Sequence, residues 1–453
     1  MNEVVIRPVI AGEEQDSKDR SVLTAVDGEP LAEVRSAPRL LGQIAMRRVR
    51  AGADGVAPPP DVFAKAAELY ATGTLCGDSI EDHVTRVARA VGLPRPIVEL
   101  AVQDLSTTLA DSADLNLRDV PPEKGTSGGR TIWVPCGRVF ASAASLGKHP
   151  GPNRAWLRAL ALGYSVVIRP GHRDPFSAQR LVHALLAAGL PGEKVSMLPG
   201  GDDLAHLLLR SADRSIVFGV EDKVGTWLTV RGVDVHCEGR SKVLLDHRPD
   251  ERELDFLAEV IAGEAGVRCD NASVVLTTEA PVELAERLAE RLAALPPEPV
   301  TGAGSCLPAV PAGQAEQLRG RFRALAGGLT DHTTGRYGGD PLALLPDGSY
   351  AVRPVVLSAE DAAHPTVGTE LPVPFVTVAP WSPSDGLAPL GNSLVLTLLG
   401  DAVSPARVAR DPSVRQVVCG PVPPWQVHPE VPDHVLGLLL TEPKHLIGLG
   451  SGS

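Results

Sequence analysis

Apolar residues recur along this chain with two different periods, and the change from one to the other divides it. The first 55 residues or so are irregular, with short β-type runs (VVIRPVI, VLTAV) and a basic stretch, 47-RRVR-50, closed by Pro58-Pro59-Pro60. From Asp61 to about Leu115 the spacing is helical: Val62, Ala66, Leu69 and Tyr70, then Val84, Val87, Ala88 and Val91, then Ile97, Leu100, Ala101 and Leu105. A helical N-terminal region is predicted there, and PPEKGTSGGR reads as the loop that closes it. Beyond it strand and helix alternate. TIWVP (131–135), YSVVIRP (164–170), VSMLPG and SIVFGV (215–220) read as strands, separated by helices over 154–163, over 174–189 and at LAHLLLR. Asp174 is placed to cap the 174–189 helix and Gly189 to stop it. A second αβ region starts near 238 and is interrupted by a Pro/Gly-rich segment at 295–315, and short strands (PFVTVAP, LVLTLLG, QVVCG) lie in the proline-rich stretch from 370. Alternation of this kind predicts an α/β protein built on doubly wound parallel sheets.

Composition narrows the partners. With 453 residues, two or three domains are expected. A net charge of −12 speaks against nucleic acid or an anionic membrane surface, both of which select a basic face. No apolar span of 18 residues exists and the N-terminus lacks a signal-peptide pattern, so a cytoplasmic protein is expected. Cys76, Cys136, Cys237, Cys269, Cys306 and Cys419 are scattered, with neither disulfide nor metal-ligand spacing, and no metal is expected. The run 47-RRVR-50 reads as a solvated face or a contact to the acidic body, with a docking patch for an acidic carrier protein as the sharper alternative.

The phosphate fingerprints G-x-G-x-x-G and G-x-x-x-x-G-K-[ST] are missing. An α/β sheet also binds nucleotides at the carboxyl ends of its strands, and there the candidate turns are 169-RPGHRD-174 and 218-FGVEDKVG-225. Arg169 ends a buried strand before Pro170 and Gly171, a position that calls for an anionic partner. Cys269, in 263-GEAGVRCDNASVV-275, lies between a helix pattern and a buried strand. A cysteine so placed is usually core packing, but the flanking Arg268, Asp270 and Asn271 argue against full burial.

The order of these pieces resembles the aldehyde dehydrogenase superfamily from about residue 131 to 380. The resemblance is carried by RAWLRALALGYSVVIRPGHRD, GLPGEKVSMLPG, FGVEDKVG, CEGRSKVLLD, the Cys269 turn and ELPVPFVTV. It implies a fold with two doubly wound parallel-sheet domains, one for the cofactor and one bearing the cysteine, plus an oligomerisation arm and the helical N-terminal region. The boundaries expected are 1–237, 238–400 and 401–453. It further implies a nicotinamide cofactor held by Arg169, Pro170, His172, Arg173, Phe218, Gly219, Gly225 and Glu370. The family's ribose-binding glutamate falls on His172. With Arg173 beside it, that exchange admits a 2′-phosphate, so NADPH is expected and NADH is the alternative.

Two departures bear on the chemistry. His236, not Glu238, falls opposite the family's water-activating glutamate, and the segment matched to its oxyanion-binding asparagine, 134-VPCGRVF-140, has no asparagine. This looks like the branch of bacterial long-chain acyl-CoA reductases, including the fatty-acid reductase of luciferase systems. The reading implied is NADPH-dependent reduction of an acyl thioester, from coenzyme A or an acyl carrier protein, to an aldehyde. Cys269 is the nucleophile, with Arg268 or His236 lowering its pKa and His236 donating the proton; Glu238, two residues away on the same strand face, is the alternative acid–base. The rival enzyme oxidises an aldehyde to the acid with Glu238 as base, and the rival from another class is a non-catalytic scaffold. The proline-rich C-terminal strands resemble the family's oligomerisation arm and imply a homodimer or homotetramer.

Overall fold

The two apolar periods sort into layers around two large sheets. The computed structural model describes residues 4–447 apart from 113–119, 122, 127–128, 146 and 427–433. Short strands open the chain: β1 (Val4–Ile6), β2 (Val9–Ile10), β3 (Glu13–Glu14), β4 (Arg20–Thr24) and β5 (Pro30–Arg35). A helix not expected from the sequence, α1 (Arg39–Ala51), lies in the stretch read as irregular, and the helices predicted from the 3.6-residue spacing follow as α2 (Pro60–Thr72), α3 (Ile80–Val91) and α4 (Arg95–Ala110). The basic run lies on α1, where Arg48 pairs with Glu13 and Arg50 with Asp213. It contacts the acidic body.

Next come β6 (Lys124–Thr126), β7 (Gly129–Pro135), β8 (Val139–Ala144), α5 (Asn153–Ala161), β9 (Ser165–Arg169), α6 (Phe176–Ala188), β10 (Val195–Met197), α7 (Asp202–Ser211), β11 (Arg214–Phe218), α8 (Glu221–Val224) and β12 (Val233–His236). The first large sheet has the order β12-β11-β8-β9-β10-β2-β3. β12 to β10 run parallel and β2 joins antiparallel. Asp174 accepts from Ser177 N at 2.9 Å at the start of α6, and Gly189 ends that helix at φ 106°, as expected from the sequence. Helices α5 and α6 bury one face of the sheet together with the N-terminal helices, while α1 and α7 cover the other.

The second half contains β13 (Ser241–Leu245), α9 (Glu251–Ala262), β14 (Ala272–Thr277), α10 (Pro281–Ala293), β15 (Ala309–Val310), α11 (Ala312–Leu325), β16 (Thr330–Asp331), β17 (Leu342–Leu344), β18 (Tyr350–Val352), β19 (Val355–Ser358), β20 (Phe375–Pro380), β21 (Ser393–Leu399), α12 (Pro405–Val408), β22 (Val414–Cys419), α13 (His434–Leu440) and β23 (Thr441–Ile447). Its large sheet runs β16-β19-β20-β14-β13-β21-β22, parallel except for β16. Strands β13 and β14 are buried along their whole length, which is why they read as unbroken apolar runs. Asp250 and Glu253 close a capping box on α9. The cysteine-bearing sheet continues past residue 400, because β22 pairs with β21 over Ser393–Leu398. β23 instead returns to the first half and pairs antiparallel with β7. Val134 and Pro135, expected beside an oxyanion, therefore belong to this separate small sheet. The segment that leaves the carboxyl end of β8 is 145–152.

Among the described residues no helix is long and apolar enough to cross a membrane.

Candidate active site

Cys269 sits in the loop between α9 and β14, and the chain is bent sharply to bring it there. Glu264, Ala265 and Gly266 all take left-handed backbone angles (φ 48°, 63° and 66°), a conformation costing roughly 1–2 kcal/mol for each residue with a Cβ. Gly266 is required for a second reason: a Cβ there would lie 2.5 Å from Pro374 N. Buried Asn271 pins the loop, accepting from Arg268 N at 2.9 Å and donating to Val260 O and Gly263 O at 3.1 Å each. From the first residue of β13, Ser241 Oγ donates to Cys269 O at 2.9 Å. A Cβ on Gly239 would stand 2.0 Å from that same carbonyl oxygen, so this close approach admits only glycine.

Arg268 lowers the Cys269 thiol in the expected direction, but its charge is largely taken up by acidic partners. Its Nε and one terminal nitrogen donate to the two oxygens of Asp270 at 2.7 and 2.8 Å, and the other donates to Glu264 at 3.0 Å. Its plane rests over the Trp425 ring, 5.6 Å from the centroid. Burial raises the carboxyl of Glu264, but hydrogen bonds and charge from His149 and Arg268 win and hold it at about 2. Burial, then the charges of Asp270 and Glu370, push the Cys269 thiol up to about 12 against the weaker pull of Arg268. In the structure as it stands the thiol is protonated at neutral pH. Its alkylation by iodoacetamide is expected to accelerate about tenfold per pH unit from neutrality upward, because the thiolate is the reacting form. The slope should soften above about 8, where Glu370 ionises and adds negative charge nearby. A plateau already at neutral pH would contradict this.

Glu370 lies in the connection before β20. Burial first, then the charge of Glu238, raise its carboxyl to about 8, although Arg240 N donates to it at 2.6 Å. Glu238 accepts from Glu221 N at 2.8 Å, and Arg240 pairs with Glu221. His236 and Glu238 thus do not act on one face. His236 ends β12, with Nε2 on Asp234 Oδ2 at 2.8 Å and its ring 4.9 Å from that of Phe218. Glu238 lies beyond the strand, within the electrostatic reach of Glu370. His236 is not among the groups that shift Cys269.

A cavity of about 250 Å³ opens at the carboxyl ends of β8, β9 and β11, where nucleotides bind on such sheets. Ala143 and Ala205 keep its walls thin, Trp227 closes it, and Arg169, Asp202 and Lys223 bring charge to it. Gly219 lies beside it at the end of β11, and a Cβ there would meet Val224 and Ser145 at 2.8 and 2.9 Å. These features fit the adenosine end of a dinucleotide. Gly225, by contrast, has nothing closer than 3.5 Å to such a Cβ. Arg169 is 1% exposed and already satisfied: it donates to Ala144 O, to Gly200 O at 2.9 Å and to Ser145 O at 3.1 Å, with Asp202 at 3.5 Å. The anionic partner in reach is Asp202, and carbonyls at the strand ends take the remaining donors in place of a phosphate. His172 Nε2 lies 2.5 Å from an Arg169 nitrogen, and burial together with that cation depresses its pKa. Both effects disfavour a second positive charge there. His172, Arg173 and Pro170 line a separate cavity of about 270 Å³ shared with β4 and Ser36. Asp202, Lys223 and Trp227 were not anticipated; the signal available was Gly200-Gly201 ahead of an acidic helix start.

Residues 81–423 match the model of the aldehyde dehydrogenase family. The chain belongs to that family. Aldehyde dehydrogenases in solved structures share its fold throughout. The γ-glutamyl-γ-aminobutyraldehyde dehydrogenase of Burkholderia cenocepacia superposes with TM-score 0.82 over 98% of this chain and 97% of that one, at 18% identity. An indole-3-acetaldehyde dehydrogenase complexed with NAD⁺ gives the same score, coverage and identity. Among curated aldehyde dehydrogenases, malonate-semialdehyde dehydrogenase 1 of Geobacillus thermodenitrificans is 32% identical over 154 residues, 32% of this chain and 31% of its own length. N-succinylglutamate 5-semialdehyde dehydrogenase 2 of Caulobacter vibrioides is 28% identical over 210 residues, 40% and 42% of the two chains. The match therefore spans a third to two fifths of these relatives.

Proposed function

We propose that this aldehyde dehydrogenase oxidises an aldehyde with NAD(P)⁺, through an acyl group on Cys269 that water releases as the acid. The carrying observation is the clamp on the nucleophile loop, where Gly239 and Ser241 hold the Cys269 carbonyl and Glu238 and Glu370 stand alongside. The bound cofactor supplies the hydride acceptor. The chain's part is to present Sγ to the aldehyde carbon and to activate the water. Glu238 takes one N–H, from Glu221, and a carboxylate has acceptor capacity beyond that for a water proton. Glu370, Gly219 and the cavity at Trp227 are the proposed cofactor contacts. Arg169 shapes that cavity through the carbonyls it binds. Lys223 adds positive charge at the adenosine end and supports the phosphorylated cofactor, with Asp202 favouring the unphosphorylated one. The names of the curated relatives, all semialdehyde dehydrogenases, support oxidation over thioester reduction. Assembly as a dimer or tetramer belongs to the same proposal, supported by the exposed apolar Leu438 and Ile447 around β23.

A second reading rests on the motif order in the sequence, which sets His236 opposite the family's catalytic glutamate. On that reading Cys269 takes an acyl group from a coenzyme A or carrier thioester, and hydride releases the aldehyde. Both are tested by supplying aldehyde with NAD⁺ or NADP⁺, and separately acyl-CoA with NADPH. In the aldehyde assay Glu238→Gln is expected to keep the first-turnover burst of reduced cofactor and slow the steady state about a hundredfold or more. His236→Gln should stay within about threefold. The opposite pattern would move the base to His236, and turnover of acyl-CoA with no oxidation of aldehyde would overturn oxidation in favour of the reductase.

A further inference from the structure

Any substrate of Cys269 must bring its reacting carbon to bonding distance of Sγ, so the charges around that atom decide what the substrate can carry. Arg268 is the adjoining cation, and its donors are taken: two face the Asp270 carboxylate, one faces Glu264, and Trp425 covers the plane. Glu264 is held in turn by His149 Nε2 at 3.2 Å from the β8–α5 loop. On the cofactor side the neighbours are acids, Glu370 with Glu238 behind it. A ligand carboxylate here would meet the carboxylates of Asp270 and Glu238, a Glu370 that gains its charge only toward pH 8, and a cation already neutralised.

We propose that the Cys269 site selects uncharged carbonyl substrates and discriminates against those with a carboxylate near the reacting carbon. This differs from the malonate and N-succinylglutamate semialdehydes for which the curated relatives are named, both of which carry carboxylates. The inference rests on Cys269 being the nucleophile, and not on the direction of the redox reaction.

A pair of alkylating probes of equal shape and different charge tests it on the full chain without cofactor. Neutral iodoacetamide and anionic iodoacetate each lose iodide to the thiolate and form the same kind of S–C bond. Rates at Cys269 are followed by peptide mass spectrometry, with 2-mercaptoethanol as the reference thiol. The iodoacetamide-to-iodoacetate ratio is expected to exceed the reference at least about tenfold, and to shrink with added salt. Asp270→Asn should lower the ratio about threefold or more by removing one carboxylate and freeing Arg268; Glu264→Gln is the second variant should the first not fold. A ratio at or below the reference would overturn the proposal. So would a higher kcat/KM for succinate semialdehyde than for hexanal. The expected probe ratio without oxidation of either aldehyde supports the selectivity and overturns the proposed oxidation.

Discussion

Cys269→Ala is expected to reduce turnover about a thousandfold or more and to leave no acyl adduct on the protein. Loss of a nucleophile that forms a covalent intermediate removes the whole reaction path, whereas loss of a positioning group leaves part of it. The substitution costs little in packing, because Cys269 is partly exposed and its neighbours are held through the main chain: Ser241 and Gly239 bear on its carbonyl. Thermal unfolding should therefore shift by no more than a few degrees. Steady-state rates together with intact-protein mass spectrometry check both halves. An adduct that persists in the alanine variant and maps to Cys237 would move the chemistry to that residue. Cys237 is the natural control, since Glu238 and Glu370 also act on it, and burial followed by acidic neighbours raises its thiol as well.

Gly239→Ala should come second in effect, although the residue bears no reactive group. Its Cβ would lie 2.0 Å from Cys269 O and 3.0 Å from Leu394 Cβ, so either the β12–β13 connection or the nucleophile loop must move. Such overpacking costs about 1–3 kcal/mol of stability. A shift of about 1 Å in the reacting atom costs about a hundredfold in rate. Expected, then, is a folded protein with a lowered denaturant midpoint and kcat reduced on that order. Retained kcat with lowered stability would show that the loop yields away from Sγ rather than with it.

Much of the architecture could be read in the residues because parallel strands buried on both faces announce themselves. VVIRP, SKVLL and SVVLT have no polar alternation, and each became a central strand. The ordered turns at the ends of these strands were legible too, with Gly219 following β11 and Glu370 preceding β20. Side-chain partnerships were not. Arg169 was assigned a phosphate because the groups that satisfy it, the carbonyls of Ala144, Ser145 and Gly200 and the carboxylate of Asp202, come from two other chain segments. Asp270 beside Arg268 was visible, but Glu264 reaches that arginine through left-handed turns at a glutamate and an alanine, conformations that neither residue type signals. Val134 and Pro135 were placed near the site because local pattern cannot reveal that β7 is claimed by a strand far along the chain.

That pairing sets an order of events during synthesis. β7 and β23 match over seven consecutive residue pairs, and partners such as Thr131 and His445 are 314 positions apart. Until residues 441–447 have left the ribosome, one edge of β7 has no partner, while the cofactor sheet beside it can already close. An open β-edge is a template for mispairing, and contacts this distant form late. Nascent chains paused between β13 and β22 therefore carry an exposed adhesive edge, and this is the stage at which a holding chaperone would have most to protect.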